Sequence, residues 1–434
     1  MTDLRAALYF HNPWWRERKV PAELIPSYFR RQYHTVREYL ENLDRIVILK
    51  GPRRTGKSTI LYQIADHFVK NGVSPFDILF LSFDDIKVRG DLDDLLAAYE
   101  QIRGKTLKEG VVYCFLDEVH FLPEWSAYIK KYFDRRYPVK FLVTSSSASL
   151  FRKTVESLAG RTVEEVLLPL SFREYALYHI QGKEFADFLE HGDVTSFEKE
   201  LRILFDRYLQ RGGFPHLLDI ESPPLWLKLM DEDVVGKVIY RDLVDLYNIR
   251  EPEKLERTLL YLTRITGQLL NVSNLSQDTG VSRPHLEKYI FYLEQAYLIF
   301  KLDRFSTSAA RAARGLSKIH LIDPGIVRIF GGVSSDFILE SVAARHLLDR
   351  TRRLHYYRNG YEIDFVAQID GVVVPYEVKN KDMPEKKDFA PMLDFMEKAG
   401  VAEGYILCRS ASEDRRFGRV TVKIRPVWLW ALMQ

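Results

Sequence analysis

Ile46-Val47-Ile48-Leu49-Lys50-Gly51-Pro52-Arg53-Arg54-Thr55-Gly56-Lys57-Ser58-Thr59 joins an apolar run to a helical period through a turn bounded by glycines. Four apolar residues in succession predict a strand buried on both faces, and the periodicity from Lys57 to Lys70 predicts a helix. The turn fits G-x-x-x-x-G-K-[ST] in its required strand–loop–helix setting. Gly51 and Gly56 let the backbone of Pro52, Arg53, Arg54 and Thr55 curl with its N–H groups inward, and the helix N-terminus adds a favourable dipole. Lys57 then reaches the β and γ oxygens of a triphosphate, and Ser58, followed by Thr59, supplies a hydroxyl for magnesium. The segment predicts a site for ATP with Mg2+.

Working outward, β-rich runs alternate with helical ones: Arg45 to Leu49, Ile78 to Phe83, Val111 to Leu116, Val139 to Thr144 and Val163 to Leu170. Five strands separated by helices imply a parallel sheet with right-handed crossovers. The third strand ends in Asp117-Glu118, two acids at the sheet edge where the phosphate loop also opens. Asp117 is predicted to hold magnesium through water and Glu118 to polarise the attacking water, which makes hydrolysis the expected reaction. Thr144, at the end of the fourth strand, either bridges Glu118 and the γ-phosphate or caps the next helix. Arg161 either stabilises charge on a neighbouring subunit's ATP or is an exposed turn residue.

The 434 residues exceed one ordinary core, and 46% hydrophobic with 28% charged residues is a globular composition. No apolar run approaches the roughly 20 residues of a membrane-spanning helix, and no secretory signal is legible, so the expectation is a cytoplasmic protein with no membrane partner. Two cysteines make neither a disulfide framework nor a zinc site. A net charge of +3 leaves nucleic-acid affinity to local patches.

Downstream, 171–253 is read as a helical lid broken at Gly212-Gly213-Phe214-Pro215. Residues 254–330 carry three helical periods and two short strands, a winged-helix pattern in which Ser282, Arg283, His285 and Lys288 project from the third helix. Arg311, Arg314 and Lys318 would form a basic wing along phosphates. From 331 to 434 the pattern is a helix followed by strands. Glu340, Asp364 and Glu377-Val378-Lys379 there could hold Mg2+ or Mn2+ and activate water, with Lys379 orienting the nucleophile.

Together with Asn12-Pro13-Trp14-Trp15, Leu158-Ala159-Gly160-Arg161, Pro169-Leu170-Ser171-Phe172 and Gly212-Gly213-Phe214-Pro215, these motifs resemble prokaryotic and archaeal AAA+-type ATPases whose C-terminal domain is similar to PD-(D/E)xK nucleases. The resemblance implies an α/β fold: a P-loop NTPase core at 45–170 behind an N-terminal strap at 1–44, then lid, winged helix and a restriction-endonuclease-like domain. It assigns Asp364, Glu377 and Lys379 to the nuclease motif, Glu340 to its helical acid, and Pro215 to an adenine contact. One departure is that Ser145 to Ser147 stand where such relatives often carry an arginine. The implied partner is DNA, with a homo-oligomer possible; the alternative is a nucleotide-switched regulator of a protein partner with a non-catalytic C-terminal domain.

Overall fold

The computed structural model describes residues 2–146, 156–180, 182–191, 195–306 and 315–434. They form two compact units, one of residues 1–168 with 295–297 and one of 169–294 with 298–434.

The first unit is built on five parallel strands, β1 (Ile46–Lys50), β2 (Ile78–Ser82), β3 (Val112–Asp117), β4 (Val139–Ser145) and β5 (Thr162–Val166), in the order β2-β3-β4-β1-β5. Ile46, Val47, Ile48 and Leu49 are fully buried, as a strand covered on both faces requires. The predicted helix Lys57–Lys70 leaves directly from the loop after β1. β4 lies between β1 and β3, so the ends of three adjacent strands carry the loop, Thr144 and Asp117 on one edge of the sheet.

The aromatic N-terminus has a physical role in this unit. β2 is an edge strand whose outward N–H and C=O groups need partners. Asn12 supplies both kinds, its amide nitrogen donating to the Phe80 carbonyl at 2.9 Å and its oxygen accepting the Phe80 N–H at 2.7 Å. The indole N–H groups of Trp14 and Trp15 both donate to the Ile78 carbonyl, and His11 Nδ1 accepts the Ser82 N–H. Residues 78, 80 and 82 are thus closed by side chains that mimic a sixth strand.

The second unit holds β6 (Ile299–Arg304), β7 (Lys318–Leu321), β8 (Leu354–Arg358), β9 (Glu362–Ile369), β10 (Val372–Val378), β11 (Glu403–Cys408), β12 (Glu413–Phe417) and β13 (Val420–Pro426). They make one eight-stranded mixed sheet in the order β12-β13-β11-β10-β9-β8-β6-β7. The predicted wing strands β6 and β7 join it through the parallel pair β6–β8, so the expected boundary at 330/331 falls inside this sheet. The helices Pro252–Arg264, Val272–Thr279 and Arg283–Gln295 precede the hairpin. Strands β12 and β13 and the terminal helix Val427–Leu432 lie beyond the last strand read from the sequence.

Gly212 and Gly213 are explained by packing: a Cβ on Gly212 would lie 1.8 Å from the Asp323 carboxylate, and one on Gly213 2.3 Å from the Leu170 carbonyl oxygen. Asp323 accepts the N–H groups of Gly213 and Gly325, and burial pushes its carboxyl up to about 6.

Candidate functional site

The loop after β1 has the geometry its glycines allow. A Cβ at Gly51 would stand 2.1 Å from the Leu167 carbonyl oxygen, and Gly56 turns into the helix at φ 93°. Arg54, exposed, is also left-handed at φ 64°, while Thr55 is buried and donates its hydroxyl to the Pro52 carbonyl. Lys57 is 4% exposed, and its ammonium donates to the carbonyls of Gly51 and Pro52 at 3.1 and 2.9 Å. Arg30, which sequence reading left without a role, is buried behind the loop and donates to the carbonyls of Thr55 and Leu168.

The carboxylates face this loop. Ser58 donates to Asp117 Oδ2 at 2.8 Å, and Thr144 donates to Asp117 Oδ1 at 2.6 Å while accepting the Glu118 N–H at 3.0 Å. Thr144 therefore fixes both acids; its hydroxyl is committed on both sides. Glu118 adopts a left-handed backbone at φ 52°, a cost of roughly 1 kcal/mol for a side chain with a Cβ. That turn aims its carboxylate at the Lys57 ammonium, 3.8 Å away, and at the Ser146 N–H and His120 Nδ1, 3.1 and 3.2 Å away. Burial works against the Glu118 anion, but Lys57, His120 and Arg53 outweigh it and hold the carboxyl well below its ordinary range. Burial and the adjacent Glu118 push Asp117 up to about 6. His120 was missed from sequence; the signal was its place two residues after the acid pair.

Ser58 and Asp117 present adjoining oxygens beside the lysine, the hard donors a magnesium–triphosphate complex takes. Arg161 is exposed and ion-paired with Asp134 at 2.6 Å. Pro215 begins a single helical turn, Pro215–Leu217. Arg311 and Arg314, like Ser147, lie outside the described residues.

Glu340, Asp364, Glu377 and Lys379 are brought together in the second unit, on the helix Ser335–Arg350 and on β9 and β10. Lys379 donates to Glu377 Oε1, the Asp364 N–H to Glu377 Oε2 and the Val378 N–H to Asp364 Oδ2, at 2.5, 3.1 and 2.9 Å. A fifth member corrects the sequence reading. Lys318, expected on an exposed basic wing, is 2% exposed and turned inward. Its ammonium lies 2.6 Å from Glu362, 3.7 Å from Asp364 Oδ1 and 3.8 Å from Glu340 Oε2.

This set does not fit the predicted metal. A divalent ion would need oxygens at about 2.0–2.6 Å. Both Glu377 oxygens and one Asp364 oxygen already accept hydrogen bonds, and the remaining Asp364 oxygen and Glu340 Oε2 face an ammonium. Among the described residues no group of three or more His, Cys, Asp or Glu is arranged to hold a metal ion. Burial would lower the Lys318 pKa, but Asp364, Glu340 and Glu362 outweigh it and raise it. Burial, then Asp364, pushes Glu377 up to about 8 and Glu340 well above its ordinary value.

No helix among the described residues is long and apolar enough to cross a membrane. Comparison with known proteins divides the chain into three matched segments. Residues 43–176 match an AAA domain family, 202–336 a domain of unknown function, DUF8612, and 335–429 another, DUF4143. The uncharacterized protein MJ1544 of Methanocaldococcus jannaschii is 25% identical over 418 residues, covering 90% of this chain and 88% of its own. An uncharacterized protein of Haemophilus influenzae is 23% identical over 353 residues, covering 79% and 81%. Solved structures with similarity include C. elegans PCH-2, at 17% identity and TM-score 0.31 over 52% of this chain and 72% of that one. AMPPCP-bound DnaA from Aquifex aeolicus matches at 14% identity and TM-score 0.28 over 66% and 92%. Residues 43–176 are an AAA-type P-loop ATPase domain, and the chain joins it to a C-terminal DUF4143 domain.

Proposed function

We propose that the chain binds magnesium-ATP at residues 51–59 and hydrolyses it, using the cycle as a switch on a macromolecular partner. One observation carries the reading: Ser58, Asp117, Thr144, Glu118 and Lys57 form an unbroken chain of contacts around the mouth of the loop. Lys57 would move from the Gly51 and Pro52 carbonyls to the β and γ oxygens. Ser58 and Asp117 would hold magnesium, which supplies charge neutralisation on the phosphates. Glu118, kept ionised by its surroundings, would take the proton of the attacking water. Pro215 is retained as a proposed adenine contact.

The partner we propose is duplex DNA, met by the exposed Arg283, His285 and Lys288 on one helix and Ser282 just before it. Cleavage of that DNA is not part of the proposal, because Lys318 stands in the carboxylate cluster. The same observation favours a second reading, a nucleotide-switched regulator of a protein partner with a non-catalytic C-terminal domain. The test is turnover of magnesium-ATP by purified protein with and without duplex DNA. Hydrolysis that Lys57→Ala removes, and that DNA raises in a salt-dependent way, is the expected result. Nucleotide binding unaffected by Lys57→Ala would overturn the ATP site. DNA-independent turnover with ATP-dependent assembly would transfer the reading to a protein partner.

A further inference from the structure

A cluster of buried acids on a sheet is ordinarily held together by whatever cation it encloses, because unpaired carboxylates in a low dielectric repel one another by several kcal/mol. In the second unit that cation is part of the chain. Lys318 opens β7, pairs with Leu302 on β6 and bridges Leu269, so its backbone is fixed on two sides. Its side chain runs inward to Glu340 on a helix and to Glu362 and Asp364 on β9. Gly267, with φ 78°, closes one flank: a Cβ there would lie 2.6 Å from the Phe337 ring and 3.2 Å from Glu340 Oε2. Glu340 Oε2 itself makes no hydrogen bond and lies 3.8 Å from the ammonium.

We propose that Lys318 is a tethered cation standing where a divalent ion would have to sit, so that Glu340, Glu362 and Asp364 form a structural joint between the hairpin and the C-terminal strands and bind metal only when that ammonium is removed. Two cations cannot share the place. An ion bound to Asp364 Oδ1 and Glu340 Oε2 would have to share with Nζ two oxygens that already lie 3.7 and 3.8 Å from that ammonium. The acids are of the residue types that suit metal binding, and one lysine of the hairpin makes the cluster an ion-pair joint instead. This inference is independent of the ATP site.

The test is Mn2+ titration of nucleotide-free full-length protein, followed by the free-ion paramagnetic resonance signal, on the wild type, Asp364→Asn, Lys318→Met and the double variant. Any weak binding at Asp117 is common to all four. The expected result is equal uptake by wild type and Asp364→Asn, one additional ion per chain in Lys318→Met with affinity at least tenfold above background, and loss of that ion in the double variant. An ion held by wild type and released by Asp364→Asn overturns the proposal, and that pair decides it even if Lys318→Met does not fold. A folded Lys318→Met chain that takes up no more Mn2+ than wild type also overturns it.

Discussion

Two buried lysines face carboxylates in this molecule, and their surroundings give them opposite fates. Lys57 lies at a glycine-bounded loop, donates only to carbonyls at close range, and keeps its carboxylate neighbour Glu118 at 3.8 Å. Lys318 has no such loop and is in direct contact with Glu362, with two more acids beyond it. A lysine among carbonyls can exchange them for phosphate oxygens at little cost. A lysine that neutralises buried acids cannot leave without exposing their repulsion. The residue types are alike; the backbone around them decides.

The largest expected effect tests the first half of that contrast. Glu118→Gln keeps the shape and removes the base, so turnover should fall about 10²- to 10⁴-fold while ATP still binds. Single-turnover hydrolysis measured alongside nucleotide affinity checks this, and a chain that hydrolyses at the wild-type rate would remove Glu118 from the reaction. The next effect compares the lysines directly. Lys318→Met should cost about 3–5 kcal/mol of unfolding free energy, the loss typical when one member of a buried ionic cluster is deleted. Lys57→Met should cost less than that, because His120 and the Ser146 N–H still hold Glu118, while abolishing nucleotide-induced stabilisation. Denaturant melts of the two variants, with and without ATP, would break the comparison if the losses were equal.

Acid should loosen the helix that carries Glu340. His346 on that helix is fully buried, donates Nδ1–H to the Val342 carbonyl and accepts the Phe172 N–H at Nε2, 2.9 Å away. Burial, helped by Arg345, lowers its pKa from 6.5 to about 4. The unfolded chain then takes up more protons between those values, so this stabilisation is complete above pH 6.5 and is lost as pH falls towards 4. At pH 5 the loss is about 2 kcal/mol. Stability measured from pH 8 to 5 should fall in wild type and flatten in His346→Phe, which starts lower because the Phe172 N–H has no acceptor.

Much of the first unit was legible because its signals are local. The β1 run, the glycine spacing and Asp117-Glu118 each fix geometry within a few residues, and the five strands appear in the predicted parallel sheet. The second cluster was legible only in part. Glu340, Asp364 and Glu377 could be gathered by type and order, but nothing near Lys318 in sequence says that a hairpin lysine turns inward instead of towards phosphates. That depends on β6 joining β8, a contact across 52 residues of chain at Asp303 and His355. Arg30 escaped for a related reason, since only the folded chain brings it to the Thr55 and Leu168 carbonyls, whereas His120 stands two residues from Glu118 and its signal was local.

The smallest effect concerns a third basic residue beside an acid. Arg161 is bound by both Nε and Nη2 to Asp134, but at the surface, where solvent screens the pair. Asp134 anchors it within its own chain, so Arg161→Ala should leave the melting temperature unmoved and turnover within about twofold at protein concentrations where chains are separate. An arginine serving a neighbour's ATP behaves differently: its removal costs on the order of 10³-fold or more, and only where chains assemble. Turnover per chain across a wide concentration range, in Arg161→Ala and Asp134→Ala, separates the cases. If Asp134→Ala raised turnover at high concentration while Arg161→Ala abolished it, the surface pair would be a resting place, and Arg161 would belong with Lys57 among the groups kept exchangeable for phosphate.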